Sequence, residues 1–255
     1  VIRGTVRSGF RIRAEGDIRV TGAIEAAEIE AGGSIHIGAG ILGQNKGLVR
    51  AGKTVKSSFI QDANVEAGED IVVSQSIMHS SVRAGRDVIC QGSKGLIVGG
   101  VIQAGEKVIA RTIGNSMSTA TTIEVGVRPE LRNELQELRS RLKSLTEYVD
   151  KTEKALTLLN HLASIGKLPG DKAVMRVKLN HTKKQAADEM ELIKERILEI
   201  ERTLEDAGIA KIVATSTIYA GTKMIIGRHT KYIKDTVSHV QFYISDGDIT
   251  MAPHI

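Results

Sequence analysis

Over the first half of the chain, apolar and polar residues alternate in short runs such as Ile18-Arg19-Val20 and Ile35-His36-Ile37. A period of two marks a strand with one buried face. A short phrase punctuates the runs: AEGDI at 14–18, AGGSI at 31–35, AGKTV at 51–55, AGEDI at 67–71, AGRDV at 84–88 and AGEKV at 104–108. The alanines are 17, 20, 16, 17 and 20 residues apart, and the phrase returns as AGTKM at 220–224. Glycine gives a tight corner, a polar residue sits at it, and Ile or Val opens the next strand. A repeat of this length is too short for a strand–helix–strand unit, which needs about 30 residues or more. It suits one coil of three short strands. The pattern predicts a parallel β-helix of about nine coils, a rod of roughly 43 Å at about 4.8 Å per coil. Apolar residues do not recur every six positions, as a left-handed hexapeptide helix would show, so a right-handed helix is expected. Both longer steps contain Lys-Gly-Leu, in ILGQNKGLVR at 41–50 and GSKGLIVGGVIQ at 92–103, and are expected to form small loops or bulges.

Residues 129–207 change to a heptad spacing. Leu131, Leu135, Leu138, Leu142, Leu145, Val149, Leu156, Leu159 and Ala163 form one set. Ala186, Met190, Ile193, Ile197, Ile200, Leu204 and Ala207 form a second. Pro129 suits a first helical turn, Leu168-Pro169-Gly170-Asp171 a turn between helices, and Gly208 a helix stop. Two helices of about 35 residues, each roughly 52 Å long, are expected to fold back as an antiparallel coiled-coil hairpin. Glu137–Arg141, Glu147–Lys151 and Asp150–Lys154 are spaced for pairs on its exposed face. Strand texture resumes at Ile209. The expected fold is therefore mainly β with an α insertion. A discontinuous β-helix would take residues 1–128 and 208–255, and the hairpin 129–207. The tail 237–255 could cap the open end of the helix.

The glycines sharpen this division, because 20 of the 26 lie in 1–126 and two in 129–207. The net charge of +5 comes wholly from the β-helix portion, since the insertion holds 15 basic and 15 acidic residues. Basic and acidic residues intersperse there, and aromatics are only 3% of the chain, which argues against nucleic acid. No apolar run is long enough to span a membrane, and no signal peptide opens the chain. The chain starts at Val1 rather than Met, which reads as a fragment with an upstream domain missing. The single cysteine, Cys90, excludes a disulfide scaffold and suits a reduced, cytoplasmic setting.

Candidate chemistry is thin. Gly38-Ala39-Gly40-Ile41-Leu42-Gly43 matches G-x-G-x-x-G, but no helical pattern follows. Gly92-Ser93-Lys94-Gly95 lacks phosphate-loop spacing. The seven histidines, at 36, 79, 161, 181, 229, 239 and 254, have no metal-ligand spacing, and His36 should point outward from a coil strand. Asp17, Asp70 and Asp87 recur at one position of the repeat, which suggests turn chemistry more than a single acid–base pair. No catalytic, cofactor or metal site is expected. The candidate residues for self-association or partner docking are the heptad side chains Leu131, Leu138, Leu145, Leu156, Ile193 and Ile200. Their alternative role is to hold the hairpin together. Residues 174–180 break the heptad pattern, and a seam wider than the hairpin needs would leave an apolar patch.

Several stretches resemble the bacterial flagellar assembly protein A family: GTVRSGF at 4–10, AEGDI at 14–18, GLIVGG at 95–100, TIEVGVRPELR at 122–132 and IYAGTKMIIG at 218–227. The resemblance spans nearly the whole chain. It implies a cytoplasmic bacterial protein of right-handed β-helix fold, without established enzymatic activity or cofactor, linked to flagellar assembly. It also implies protein partners, including a sugar-phosphotransferase regulatory protein. A homo-oligomeric scaffold or regulator is the function expected. The β-helix texture is also similar to bactofilins and to the C-terminal domain of the division inhibitor MinC, which lack the long insertion. A carbohydrate-acting β-helix enzyme is a further alternative.

Overall fold

The computed structural model describes residues 1–126, 129–205 and 209–254. The chain divides into two compact units, Val1–Pro129 with Leu204–Ile255, and Glu130–Thr203. The first is a β-solenoid and the second consists of two helices inserted into its sequence.

The solenoid has three parallel faces. Face A stacks Arg11–Ala14, Glu28–Ala31, Leu48–Ala51, Asn64–Ala67, residues 81–84 and 101–104, Thr121–Val125 and Lys223–Ile226. Face B stacks Ile18–Val20, Ile35–Ile37, residues 55–57 and 71–73, Asp87–Cys90, and residues 107–110 and 211–214. Face C runs from Ile24–Glu25 and Gly40–Leu42 to residues 217–218. Alternation points one side chain of each pair inward. On face C this builds one file of isoleucines in direct register: Ile24, Ile41, Ile60, Ile77, Ile97, Ile113 and Ile218, all fully buried. The β-branched side chain stacks well on its copy in the next coil.

Face B holds seven strands, so about six turns separate its first from its last, or about 29 Å, against the nine coils expected. The difference lies in the tail. Its alternating residues form antiparallel strands rather than further coils. His229–Tyr232 pairs with Lys223–Ile226, Val237–Ser245 with Lys211–Ile218, and Asp248–Pro253 with Val237–Ser245. The tail thus covers the last parallel edge and contributes Phe242, the largest fully buried side chain.

The recurrent glycine sits at the A-to-B corner, for a reason other than conformational freedom. Gly32, Gly52, Gly68, Gly85 and Gly105 do not adopt positive φ. Each lies on the backbone of the coil before it: a Cβ on Gly85 would come 2.0 Å from the Gly68 carbonyl oxygen, and one on Gly68 2.2 Å from that of Gly52. Each glycine N–H also donates to the alanine carbonyl one coil back, as Gly85 does to Ala67 at 2.9 Å. AGTKM is not a further copy of this corner. Lys223–Ile226 continues face A, so Gly221 lies at the C-to-A corner, with φ +86°. A glycine before a strand is too short a phrase to distinguish the two corners. The two longer steps do add loops, a turn at 44–46 and a bend at 92–94.

Face A carries an ordered outer row. Arg13, Glu30, Arg50, Glu66, Arg83, Gln103 and Glu124 are in register on successive coils. Arg13–Glu30 is 2.6 Å, Arg50 reaches Glu30 at 3.3 Å and Glu66 at 2.8 Å, and Arg83 reaches Glu66 at 3.3 Å. Arg83 then donates to Gln103 at 2.9 Å, and Gln103 to Glu124 at 2.8 Å. A slip of one coil would place like charges together, so the row opposes misregister.

In the second unit, α1 (Pro129–Ser164) and α2 (Gly170–Glu205) each have 36 residues. Gly170 opens α2, so the last two residues of the turn expected at 168–171, Gly170 and Asp171, belong to the helix. The exit at Val127 and the helix stop at Gly208 lie outside the described residues. Leu145, Ala186 and Ile193 form a core lined by Leu138, Leu142, Val149, Met190 and Ile197. Buried Thr152 fills the gap between Val149 and Leu156 in the heptads, its hydroxyl donating to the Tyr148 carbonyl at 2.8 Å. Arg141, spaced to pair with Glu137, instead reaches Glu189 on α2 at 2.9 Å.

The glycine column yields a direct test. Gly85→Ala should destabilise the protein by about 1–3 kcal/mol through overpacking. Gly16→Ala, which meets nothing within 4 Å, should change stability little. Urea unfolding of the two variants measures the difference; equal stability would overturn the close-approach explanation.

Candidate functional site

Of the six heptad candidates, Leu138, Leu145 and Ile193 pack in the core shared by α1 and α2. Leu145, Leu156, Ile193 and Ile200 are buried, and Leu131 and Leu138 half-buried. Polar links flank this seam: Glu134–Arg196 at 2.7 Å, Arg139–Glu201 at 2.8 Å, Glu153–Lys183 at 2.6 Å and Tyr148–Thr182 at 3.2 Å. Arg196 holds the Glu134 carboxyl below its ordinary range. Apolar side chains outside the seam remain exposed. Leu158, Ile165, Val174, Met175 and Val177 flank the connection between the helices, and each is about half exposed or more. The irregular heptads over 174–180 were the signal for three of them.

The outer row of face B differs from the paired row of face A. Arg19, His36 and Lys56 lie in register on three successive coils, and Val72, Ile89 and Ile109 continue the row. The first three, with Thr21, Ser58 and Ser74, line a shallow groove of about 550 Å³. His36 points outward, as its place between two inward isoleucines requires, but it is half-buried in this groove. The sequence contained this row, but its members are 17 and 20 residues apart and meet only when the coils are stacked.

The recurrent aspartates have three different settings. Asp17 accepts a hydrogen bond from the Ser34 N–H at 2.7 Å and so braces the next coil. Asp70 accepts from Arg86 Nε at 2.8 Å and pairs with that guanidinium through both oxygens. The bond to Arg86 holds Asp70 below its ordinary range, whereas burial, chiefly, raises Asp87. One Asp87 oxygen is buried without a hydrogen-bond partner. The Asp70 carboxylate is occupied by Arg86 and so is not free to activate a substrate.

Neither glycine motif forms a cradle. In GAGILG, a Cβ on Gly40 would enter the Phe59 ring and one on Gly43 would meet Asp62 and Ala63, so neighbouring coils fill the space a phosphate would need. Arg111 donates to the Ser93 carbonyl at 2.8 Å and ties down the loop containing Gly-Ser-Lys-Gly. Cys90 is fully buried, and burial pushes its thiol up to about 12. Among the described residues there is no group of three or more His, Cys, Asp or Glu side chains that could hold a metal ion. No helix of the described residues is long and apolar enough to cross a membrane.

Two measurements test these assignments. Asp70→Asn should lower stability at neutral pH, because the lowered carboxyl pKa adds stability present above the ordinary aspartate value and lost as pH falls through the folded value. The gap to wild type in urea unfolding should close in acid; a gap that persists there would show that the lost stability is not ionic. Cys90 should resist a thiol reagent in the native protein and react on unfolding. Rapid native reaction would contradict its burial.

Stacked coils, a glycine-backed corner and a two-helix insertion at one strand junction describe a particular solenoid type. No curated protein and no solved structure matches the chain. The family model for the Flagellar Assembly Protein A beta solenoid domain matches residues 1–249, nearly the whole chain, and the chain belongs to that family.

Proposed function

We propose that this chain is a non-enzymatic scaffold or regulatory protein of flagellar assembly, working in the cytoplasm through self-association and protein partners. A sugar-phosphotransferase regulatory protein is one such partner by family resemblance. In this reading the solenoid is right-handed, as crossovers between parallel strands of one sheet nearly always are. The insertion 129–207 is a separate arm, an antiparallel coiled-coil hairpin, and 1–128 with 208–255 is the solenoid body. The polar links support the antiparallel arrangement: Glu134, Arg141 and Tyr148 on α1 meet Arg196, Glu189 and Thr182 on α2, so one position rises as the other falls.

The exposure of Leu158, Ile165, Val174, Met175 and Val177 carries the proposal. Heptad packing between α1 and α2 leaves these side chains in water on either side of the helix connection, and large apolar side chains so exposed suit contact with a partner. Leu131, Leu138, Leu145, Leu156, Ile193 and Ile200 serve assembly by holding the arm in shape, and the exposed set makes the contact. Sedimentation velocity at tens of micromolar should show a dimer or larger oligomer. Val174→Ser/Met175→Ser/Val177→Ser should weaken association by about tenfold or more, with helical circular dichroism retained. A wild-type monomer at that concentration would overturn self-association. A variant that assembles as wild type would remove these exposed side chains from it.

A further inference from the structure

We propose that face B of the solenoid docks an acidic helix of a partner protein, laid along the solenoid axis over Arg19, His36 and Lys56; this rests on the reading that the chain binds protein partners.

The first observation is unspent charge. On face A every arginine from Arg13 to Arg83 is matched by a glutamate on an adjoining coil. On face B the Arg19 and Lys56 side chains make no ion pair among the described residues, and His36 stands between them in register. Asp70, which feels the Lys56 charge, is already bonded to Arg86. The three groups open on one groove with the hydroxyls of Thr21, Ser58 and Ser74.

The second is spacing. Successive coils place the outer row at about 0, 4.8, 9.6, 14.4 and 19.2 Å. Helix positions i, i+3, i+7, i+10 and i+14 rise about 0, 4.5, 10.5, 15 and 21 Å along one face. Acids at the first three positions would meet Arg19, His36 and Lys56, and apolar residues at the next two would meet Val72 and Ile89. An extended strand fits less well, because its same-side residues are about 6.8 Å apart and leave register within two coils. Nucleic acid is disfavoured by the row itself, which turns apolar after three coils and has no aromatic side chain on which a base could stack.

The probe is a fluorescent alanine-based peptide of about 20 residues, with Glu at i, i+3 and i+7 and Leu at i+10 and i+14 of its helix. Its anisotropy is followed on titration with the full chain at low ionic strength. Binding should be at least about tenfold weaker for a scrambled peptide of the same composition and for Arg19→Glu/Lys56→Glu. Arg19→Gln/Lys56→Gln, which keeps side-chain bulk, should lose part of the affinity and guards against misfolding of the reversed variant. Affinity should be unchanged in Val174→Ser/Met175→Ser/Val177→Ser, which separates this site from self-association. No binding, equal binding of the scrambled peptide, no loss on charge reversal, or tighter binding of an oligothymidylate through the same two residues would each overturn the proposal.

Discussion

Each coil of the solenoid must sit one strand spacing, about 4.8 Å, above the coil before it, and the corner must allow that as fully as the strands do. The A-to-B corner meets this constraint in the same way coil after coil. There the carbonyl oxygen of one glycine occupies the place where a side chain on the next would begin, at 2.0–2.2 Å from Gly52 to Gly105. The inward isoleucine file of face C needs the same spacing, because each isoleucine packs on its copy one coil away. Corner and core are therefore coupled. A corner that opened would lift an entire coil and separate side chains on the opposite face.

The same coupling explains where the insertion is tolerated. The helices join Thr121–Val125 on face A to Lys211–Ile218, whose first residues, 211–214, lie on face B, so they enter at the corner that elsewhere is Ala-Gly. Across this long interruption the register holds: Lys107 lies beside Lys211 and Ala110 beside Ala214. Flanking ladder bonds position the strand after the insertion, as with the Lys211 N–H to the Glu106 carbonyl at 3.1 Å. The solenoid does not need the covalent corner for register once strands on either side supply it. A segment placed there can carry its own core, as Leu145, Ala186 and Ile193 do.

What was legible in the sequence follows from the range of the interactions. The repeated glycine phrase and alternating Ile and Val revealed the coils, because each strand's burial pattern is local. The heptads revealed the helices for the same reason. The count of coils was not legible: the tail alternates like a coil strand, and only its pairing direction makes it a cap. AGTKM reads like the A-to-B phrase yet turns the C-to-A corner, because five residues do not specify which corner they turn. The face A row was readable in retrospect. The residue before each repeated alanine runs Arg13, Glu30, Arg50, Glu66, Arg83, and its sign alternates. The face B row is harder to see, since Arg19, His36 and Lys56 share no sign pattern with a neighbour and gain meaning only from stacking.

The two rows also show how one repeat can serve both stability and recognition. On face A opposite charges are interleaved, so the field largely cancels a short distance from the surface and exposed pairs of this kind add modest stability each. On face B Arg19 and Lys56 flank His36 in the outer row with no acid between them, and the two cationic fields add over the groove. Both rows use strand positions whose neighbours point inward, so neither disturbs the core that fixes the coil spacing. Because outward positions alternate with inward ones, the outer row of each face can change while the inner file stays apolar. Separation of the inner and outer files therefore lets a uniform stack of coils present a neutral, register-setting face and a charged, open one on the same solenoid.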